Sequence, residues 1–255
     1  VRIDGLSLIK QTVDINALQT AHDTNKDRDA DTYSAASWAP FRAALDDAER
    51  ILAATAATQQ EVDGATRALT DAAAALAPAI AGITATVTKK TYAVGAGFDA
   101  ATLTVAATFT DGSTSELDDS QFTLAGFTSA APGPVTVTVT VNADLLATGA
   151  SPATASVHLD VYPAWNSNTA YTTGQQVLYN DAVWQASWWT RNQLPRDPNG
   201  PWQEIREDNG QPVWTPTRIF LAGDKVTHNG VRYEAKWWTR NQKPGDPNGP
   251  WKPIS

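Results

Sequence analysis

The chain has 255 residues, a net charge of −8, no cysteine and no methionine. That length predicts about one to three domains, and the missing cysteine excludes disulfides, thiolate chemistry and most structural zinc sites. The acidic balance argues against nucleic acid or an anionic membrane surface as partner, and no run reaches the roughly 18 apolar residues of a membrane helix.

Valine at the first position and the lack of methionine predict a processed product or an excised fragment. Composition shifts along the chain. Alanine dominates residues 35–82, threonine and valine dominate 83–162, and nine of the ten tryptophans follow residue 163. Charge shifts with it, from −5 over 1–82 and −5 over 83–162 to +2 over 163–255. Three compositions predict several small domains instead of one large core.

Residues 1–10 alternate apolar and polar and predict one strand; residues 1–12 are assigned to the remnant of an upstream domain or a linker. Residues 13–80 predict an antiparallel three-helix bundle. Asp14 is placed to cap the first helix, with Ile15 and Leu18 on its inner face. The second starts at Ser37, which puts Pro40 in the first turn, where its missing N–H is not needed. Its stripe is Trp38, Phe41, Leu45, Ala48 and Leu52. The third opens on a capping box, Thr58 to Glu61, and carries Val62, Ala65, Leu69, Ala72 and Leu76, with Pro78 ending it. Leu18 through Tyr33, Ser37-Trp38, Ala44–Ala48 and the Thr58–Glu61 box together resemble a FIVAR repeat, a three-helix spacer of bacterial extracellular and cell-wall proteins.

Within this segment Asp23, Asn25, Asp27 and Asp29 have the odd-position spacing of a calcium loop. Arg28 stands where that loop needs glycine and Ser34 where it needs glutamate, so a solvated acidic loop is the better reading. His22, at helical spacing from Leu18, reads as a partly buried bundle residue.

Residues 81–162 change to period two. Thr84, Thr86 and Thr88 alternate with Ala85, Val87 and Lys89; Val135 to Val141 is a strict Val-Thr alternation; Ser156 to Val161 is a last strand. Asp111-Gly112 between strand-like runs predicts a hairpin. Short strands with turns between them predict a β-sandwich. Thr91–Gly95 and Phe109–Ser113 resemble the corresponding parts of bacterial Ig-like domains, again usually spacers.

Residues 165–205 align with 214–254 at a constant offset of 49, with 19 of 41 positions identical. The blocks Trp188-Trp189-Thr190-Arg191-Asn192-Gln193 and Asp197-Pro198-Asn199-Gly200-Pro201-Trp202 recur unchanged. The two modules are assigned to 163–207 and 208–255. Each is near the lower size limit for a cooperative core, so it must use aromatics to fold. Trp165, Trp202, Trp214 and Trp251 are assigned to the cores, with Trp184 and Tyr233 on the inward parity of Ala186 and Ala235. Consecutive strand residues face opposite ways, so at least one of Trp188 and Trp189 must meet solvent. An exposed indole plane beside polar groups fits the C–H face of a pyranose, with hydroxyls left for the polar side chains.

The pattern Trp-x5-Tyr/Phe-x2-Gly-x2-Val, then Ala-x-Trp-Trp-Thr and a final Pro-Trp, resembles carbohydrate-binding module family 5/12. That resemblance implies small β-rich modules, mostly chitin-binding and some cellulose-binding, carried by secreted hydrolases. It implies a strip of three solvent-facing aromatics: Tyr171, Trp188 and Trp189 in the first copy, Phe220, Trp237 and Trp238 in the second. Strand alternation allows one outward indole per pair; a bulge or strand end would re-aim the other.

No nucleophile elbow, phosphate loop or metal triad is present, and paired carboxylates such as Asp46-Asp47 lack a pocket to raise a pKa. The expected molecule is therefore a three-helix bundle, an Ig-like β-sandwich and two small β-rich carbohydrate-binding modules. It is read as the non-catalytic region of a secreted polysaccharide-degrading enzyme, extracellular and monomeric. It is expected to bind chitin or a related insoluble polysaccharide, with no cofactor, metal, nucleic-acid or membrane partner. The alternative is an adhesin or cell-wall scaffold holding a cell on glycan.

Overall fold

The computed structural model describes residues 12–208 and 210–254. The strand expected over 1–10 lies outside them. The chain groups into two compact units: one holds residues up to Thr86 with Thr104–Leu124 and Thr138–Ala155, the other Val87–Leu103, Ala125–Val137 and the residues from Ser156 onward.

Among the described residues three α-helices come first: α1 (Asn16–Asn25), α2 (Ala35–Ala53) and α3 (Gln59–Ala74). Their cores form one cluster of Leu18, Phe41, Leu45, Ala48, Ile51, Val62, Ala65 and Leu69. Burying each large aliphatic or aromatic side chain contributes about 1.5–3 kcal/mol. Asp14 does accept from the Asn16 backbone N–H at 2.9 Å. Ile15, however, occupies the N-cap position and is 41% exposed, because a cap residue precedes the inward-facing stripe. α2 begins two residues earlier than expected, with Ser34 as its N-cap, so Pro40 falls in the second turn. There its missing N–H leaves the Ala36 carbonyl without its intrahelical donor. Ile51, three residues after Ala48, lies on the buried face with it, while Leu52 is only partly buried. α3 closes its capping box: Glu61 accepts from the Thr58 N–H at 2.8 Å and Thr58 Oγ1 from the Glu61 N–H at 3.3 Å.

The acidic stretch expected as a loop begins inside α1: Asp23 and Asn25 belong to the helix's last turn, and the carboxylates are used locally. Asp23 accepts from Gln19 and from Lys26 at 2.9 Å, and Asp29 accepts from the Asp31 N–H at 3.0 Å. The Gln19 amide first, then Lys26, hold the Asp23 carboxyl down to about 2. These carboxylates thus bond to near neighbours in sequence instead of converging on a common centre. His22 sits between Asp23 and Glu49, at 3.3 and 3.5 Å.

Two sheets follow. One has strand order β1 (Ile80–Val87), β3 (Leu103–Phe109), β4 (Thr114–Glu116). The other runs β2 (Thr91–Ala93), β7 (Thr154–Tyr162), β6 (Gly133–Val141), β5 (Phe122–Ala125). β3 and β4 are antiparallel, Ala107 opposite Ser115, and Asp111-Gly112 lies in the turn between them. Alternation decides the faces: Val137, Val139 and Val141 are buried on β6, and Val157, Leu159 and Val161 on β7.

Each repeat then builds a three-stranded and a two-stranded sheet. In the first, β9 (Gln176–Tyr179), β10 (Ala182–Ala186) and β12 (Trp202–Ile205) pair, and β8 (Ala170–Tyr171) pairs with β11 (Thr190–Arg191). Between the repeats, β13 (Glu207–Asp208) and β14 (Gln211–Pro212) form a two-stranded ladder. The second repeat matches the first: β15 (Ile219–Phe220) with β18 (Thr239–Arg240), and β16 (Lys225–His228), β17 (Val231–Ala235), β19 (Trp251–Ile254).

Candidate functional site

Each repeat folds around a tryptophan. Trp202 is 1% exposed and Trp251 2% exposed. Their indole N–H groups donate to the carbonyls of Gln193 and Gln242, at 2.8 and 2.7 Å. The same glutamines accept, through Oε1, from the hydroxyls of the buried Thr190 and Thr239. Gly200 and Gly249 close the turn before each core tryptophan. A Cβ there would lie 3.0 and 3.2 Å from the Cβ of Asp197 and Asp246. Asn192 and Asn241 adopt φ of 56° and 55°, a left-handed conformation that asparagine tolerates. The long identical blocks are thus mainly scaffold for the segment that carries the indole pairs.

Tyr171 and Phe220 belong to that scaffold, which corrects their assignment to a solvent-facing strip. They are 5% and 1% exposed and stand edge-on to Trp202 and Trp251, at 5.1 Å between ring centroids in both repeats. The Tyr171 hydroxyl accepts from the Asn166 N–H at 2.7 Å. A module of this size has to bury its early aromatic under the second sheet, because little else is available to cover the core tryptophan.

The indole pairs are different. Trp188, Trp189, Trp237 and Trp238 are 44%, 62%, 48% and 57% exposed, in contrast to the other six tryptophans. Both indoles of a pair are exposed because neither lies in a strand. The chain leaves β10 at Ala186, bends through 187–189, and re-enters a strand at Thr190. The bend is pinned on both sides: Ser187 N–H donates to Pro201 O at 2.7 Å, and buried Thr190 lies opposite Tyr171. The second repeat repeats this with Lys236 N–H to Pro250 O and Thr239 opposite Phe220.

Cations flank the first indole of each pair. Lys236 Nζ stands 4.9 Å from the Trp237 ring centroid, and the Arg240 guanidinium 5.7 Å from that of Trp188. Burial pulls the Arg240 guanidinium below its ordinary pKa, opposed by the Asp197 carboxylate. No cation lies over Trp189 or Trp238 among the described residues. Sequence reasoning missed both flanking cations. Lys236 was legible, being next to Trp237; Arg240 reaches across to the other repeat, which no local signal announces.

Residues 164–203 and 213–252 each match carbohydrate-binding module family 5/12. The paired repeats are carbohydrate-binding modules of this family. Residues 85–158 match the bacterial Ig-like domain (group 3), in agreement with the two-sheet segment. The chain is also 48% identical over 44 residues to endoglucanase A of Evansella cellulosilytica, covering 17% of this chain and 9% of that protein. The chain therefore spans under a tenth of that relative's length. Modules of this kind bind carbohydrate and are not catalytic. No helix among the described residues is long and apolar enough to cross a membrane.

Proposed function

We propose that the two modules hold a secreted polysaccharide-degrading enzyme on chitin or a related β-glycan through Trp188, Trp189, Trp237 and Trp238. The helical segment, read as FIVAR-like, and the Ig-like segment act as spacers, and the chain works as an extracellular monomer. The observation that carries this is the exposure of the same two indoles in both modules, held by the same pinned bend. Apolar area exposed twice over at equivalent positions costs solubility unless a ligand covers it.

Trp189→Ala with Trp238→Ala is expected to abolish pull-down by insoluble chitin and leave thermal unfolding nearly unchanged. Trp202→Ala removes a buried aromatic and is expected to cost about 3–5 kcal/mol. Unfolding of the double variant at the Trp202→Ala level would place the pairs in the core and sink the reading. Binding should persist at high salt, because stacking is not screened as ion pairs are.

Cellulose is the second reading, favoured by the match to an endoglucanase. Indole stacking reads the C–H face that both polymers share, so the choice falls to polar groups at the rim. Depletion of the chain by chitin and by cellulose, measured side by side, separates the two.

A further inference from the structure

The two modules touch through a polar seam. Thr215 and Thr217, each 3% exposed, sit against the last strand of the first module. Thr217 Oγ1 accepts from the Glu204 N–H at 2.8 Å, and Thr215 Oγ1 donates to the Glu204 carbonyl at 3.1 Å. The Ile219 N–H donates to Gln203 Oε1 at 2.7 Å.

Arg240 crosses the seam. Its Nε donates to Thr217 O at 2.9 Å within its own module. Its Nη2 donates to Gly200 O at 2.7 Å and to Trp202 O at 3.4 Å in the first module. Three of the five guanidinium donors are thus used on backbone carbonyls, and the cation lies over Trp188. Its counterpart in the first module, Arg191, is exposed.

The copies differ where the seam needs them to. Thr215 and Thr217 replace Asn166 and Asn168, which instead make a local turn, Asn168 N–H to Asn166 Oδ1 at 2.8 Å. The joining segment does not slacken the contact. β13 and β14 pair, Glu207 opposite Pro212, and the Val213 N–H donates to Arg206 O at 2.9 Å, so the join between the modules is a short ladder.

We propose that Arg240 is a positioning residue that clamps the second module to the first, fixing both indole pairs in one geometry as a single binding surface. Its consequence for binding rests on the carbohydrate reading above; the clamp itself does not. Lysine cannot replace it, because a point charge on a flexible stem does not span carbonyls of two modules at once.

The test uses the full chain with spin labels on Thr173→Cys and Ala222→Cys, exposed positions in a protein with no native cysteine. Electron–electron distance measurement should give one narrow distribution in the parent. Arg240→Ala and Arg240→Lys should both broaden it, whereas Arg191→Ala should leave it narrow. On insoluble chitin or cellulose, both Arg240 variants should bind about tenfold more weakly or worse, a share of the roughly 10²–10⁴-fold gain that linked sites provide. Should Arg240→Ala fail to fold, Arg240→Lys carries the same comparison. A broad distribution in the parent, a narrow one in the Arg240 variants, or broadening with unchanged polymer binding would overturn the proposal. A narrow parent distribution that Arg240 variants broaden, in a chain that captures neither polymer, supports the clamp and refutes the carbohydrate reading.

Discussion

At the scale of single residues, exposure separates tryptophans that look alike in sequence. Trp188 and Trp189 share neighbours and differ in what lies over them: Arg240 stacks on the first. Parity alone predicts one outward indole, and it fails because the bend at 187–189 suspends strand alternation. Tyr171 and Phe220 show the opposite error. The resemblance sends them outward, but a small core without other cover takes them in. Residue-level chemistry also separates the modules. His228 stands where the first module has Tyr179, edge-on to Trp214 at 5.2 Å, and its Nε2 is buried without a partner among the described residues. Burial first, then Lys243, lowers its pKa from the ordinary value. A histidine kept neutral by the fold supports stability above its unfolded pKa of about 6.5 and loses it as pH falls through the folded value. Unfolding followed by indole fluorescence should therefore show a loss of stability starting near pH 6.5. His228→Tyr should remove that part of the loss. The perturbed carboxylates, Glu234 beside Lys252 among them, have lowered values and titrate only further down.

At the scale of elements, the parts written in local chemistry were readable. The Thr58–Glu61 box starts α3 as its spacing requires, and the Val-Thr alternation over 135–141 buries its valines. Helix starts were less readable: Ser34 and Ser37 both offer a hydroxyl, and they bond each other at 2.9 Å across the first turn of α2. The third helix contains a weak point that packing does not need. Gly64 lies on its exposed face, and a Cβ there would meet nothing within 4 Å. Gly64→Ala should raise stability by about 0.5–1 kcal/mol, read as an upward shift in the thermal midpoint. A drop would show that the helix needs the glycine for a reason its contacts do not reveal.

At the scale of the molecule, the proposed function has the two modules engaging a polymer together and a short sugar separately. Linking raises the apparent affinity for a surface that both pairs can reach, without a new contact. Silencing one pair by Trp188→Ala with Trp189→Ala in the full chain should therefore cost about 10²-fold or more on insoluble polymer. On a short soluble oligosaccharide the same change should halve the number of sites and leave the affinity of the remaining one alone. A mere halving on the polymer as well would mean that the pairs never engage one surface together. The repeat was evident in the sequence, but its geometry was not, because the seam depends on Thr215, Thr217 and Arg240 meeting Gly200, Trp202, Gln203 and Glu204.

The seam has a direction. It joins the end of one module to the beginning of the next, a head-to-tail contact that in principle repeats without closing. Its growth depends on the Glu204 N–H that Thr217 accepts. At the offset of 49 the second module places Pro253 there, and proline has no N–H to offer. Lys252 stands where Gln203 supplied an acceptor, and its ammonium is bound to Glu234 at 2.8 Å. A third module docking on β19 in the same way would find one donor missing and one acceptor replaced by a cation. The last strands of the two modules, alike in fold, thus offer different edges, and β19 cannot take a module in the way β12 does.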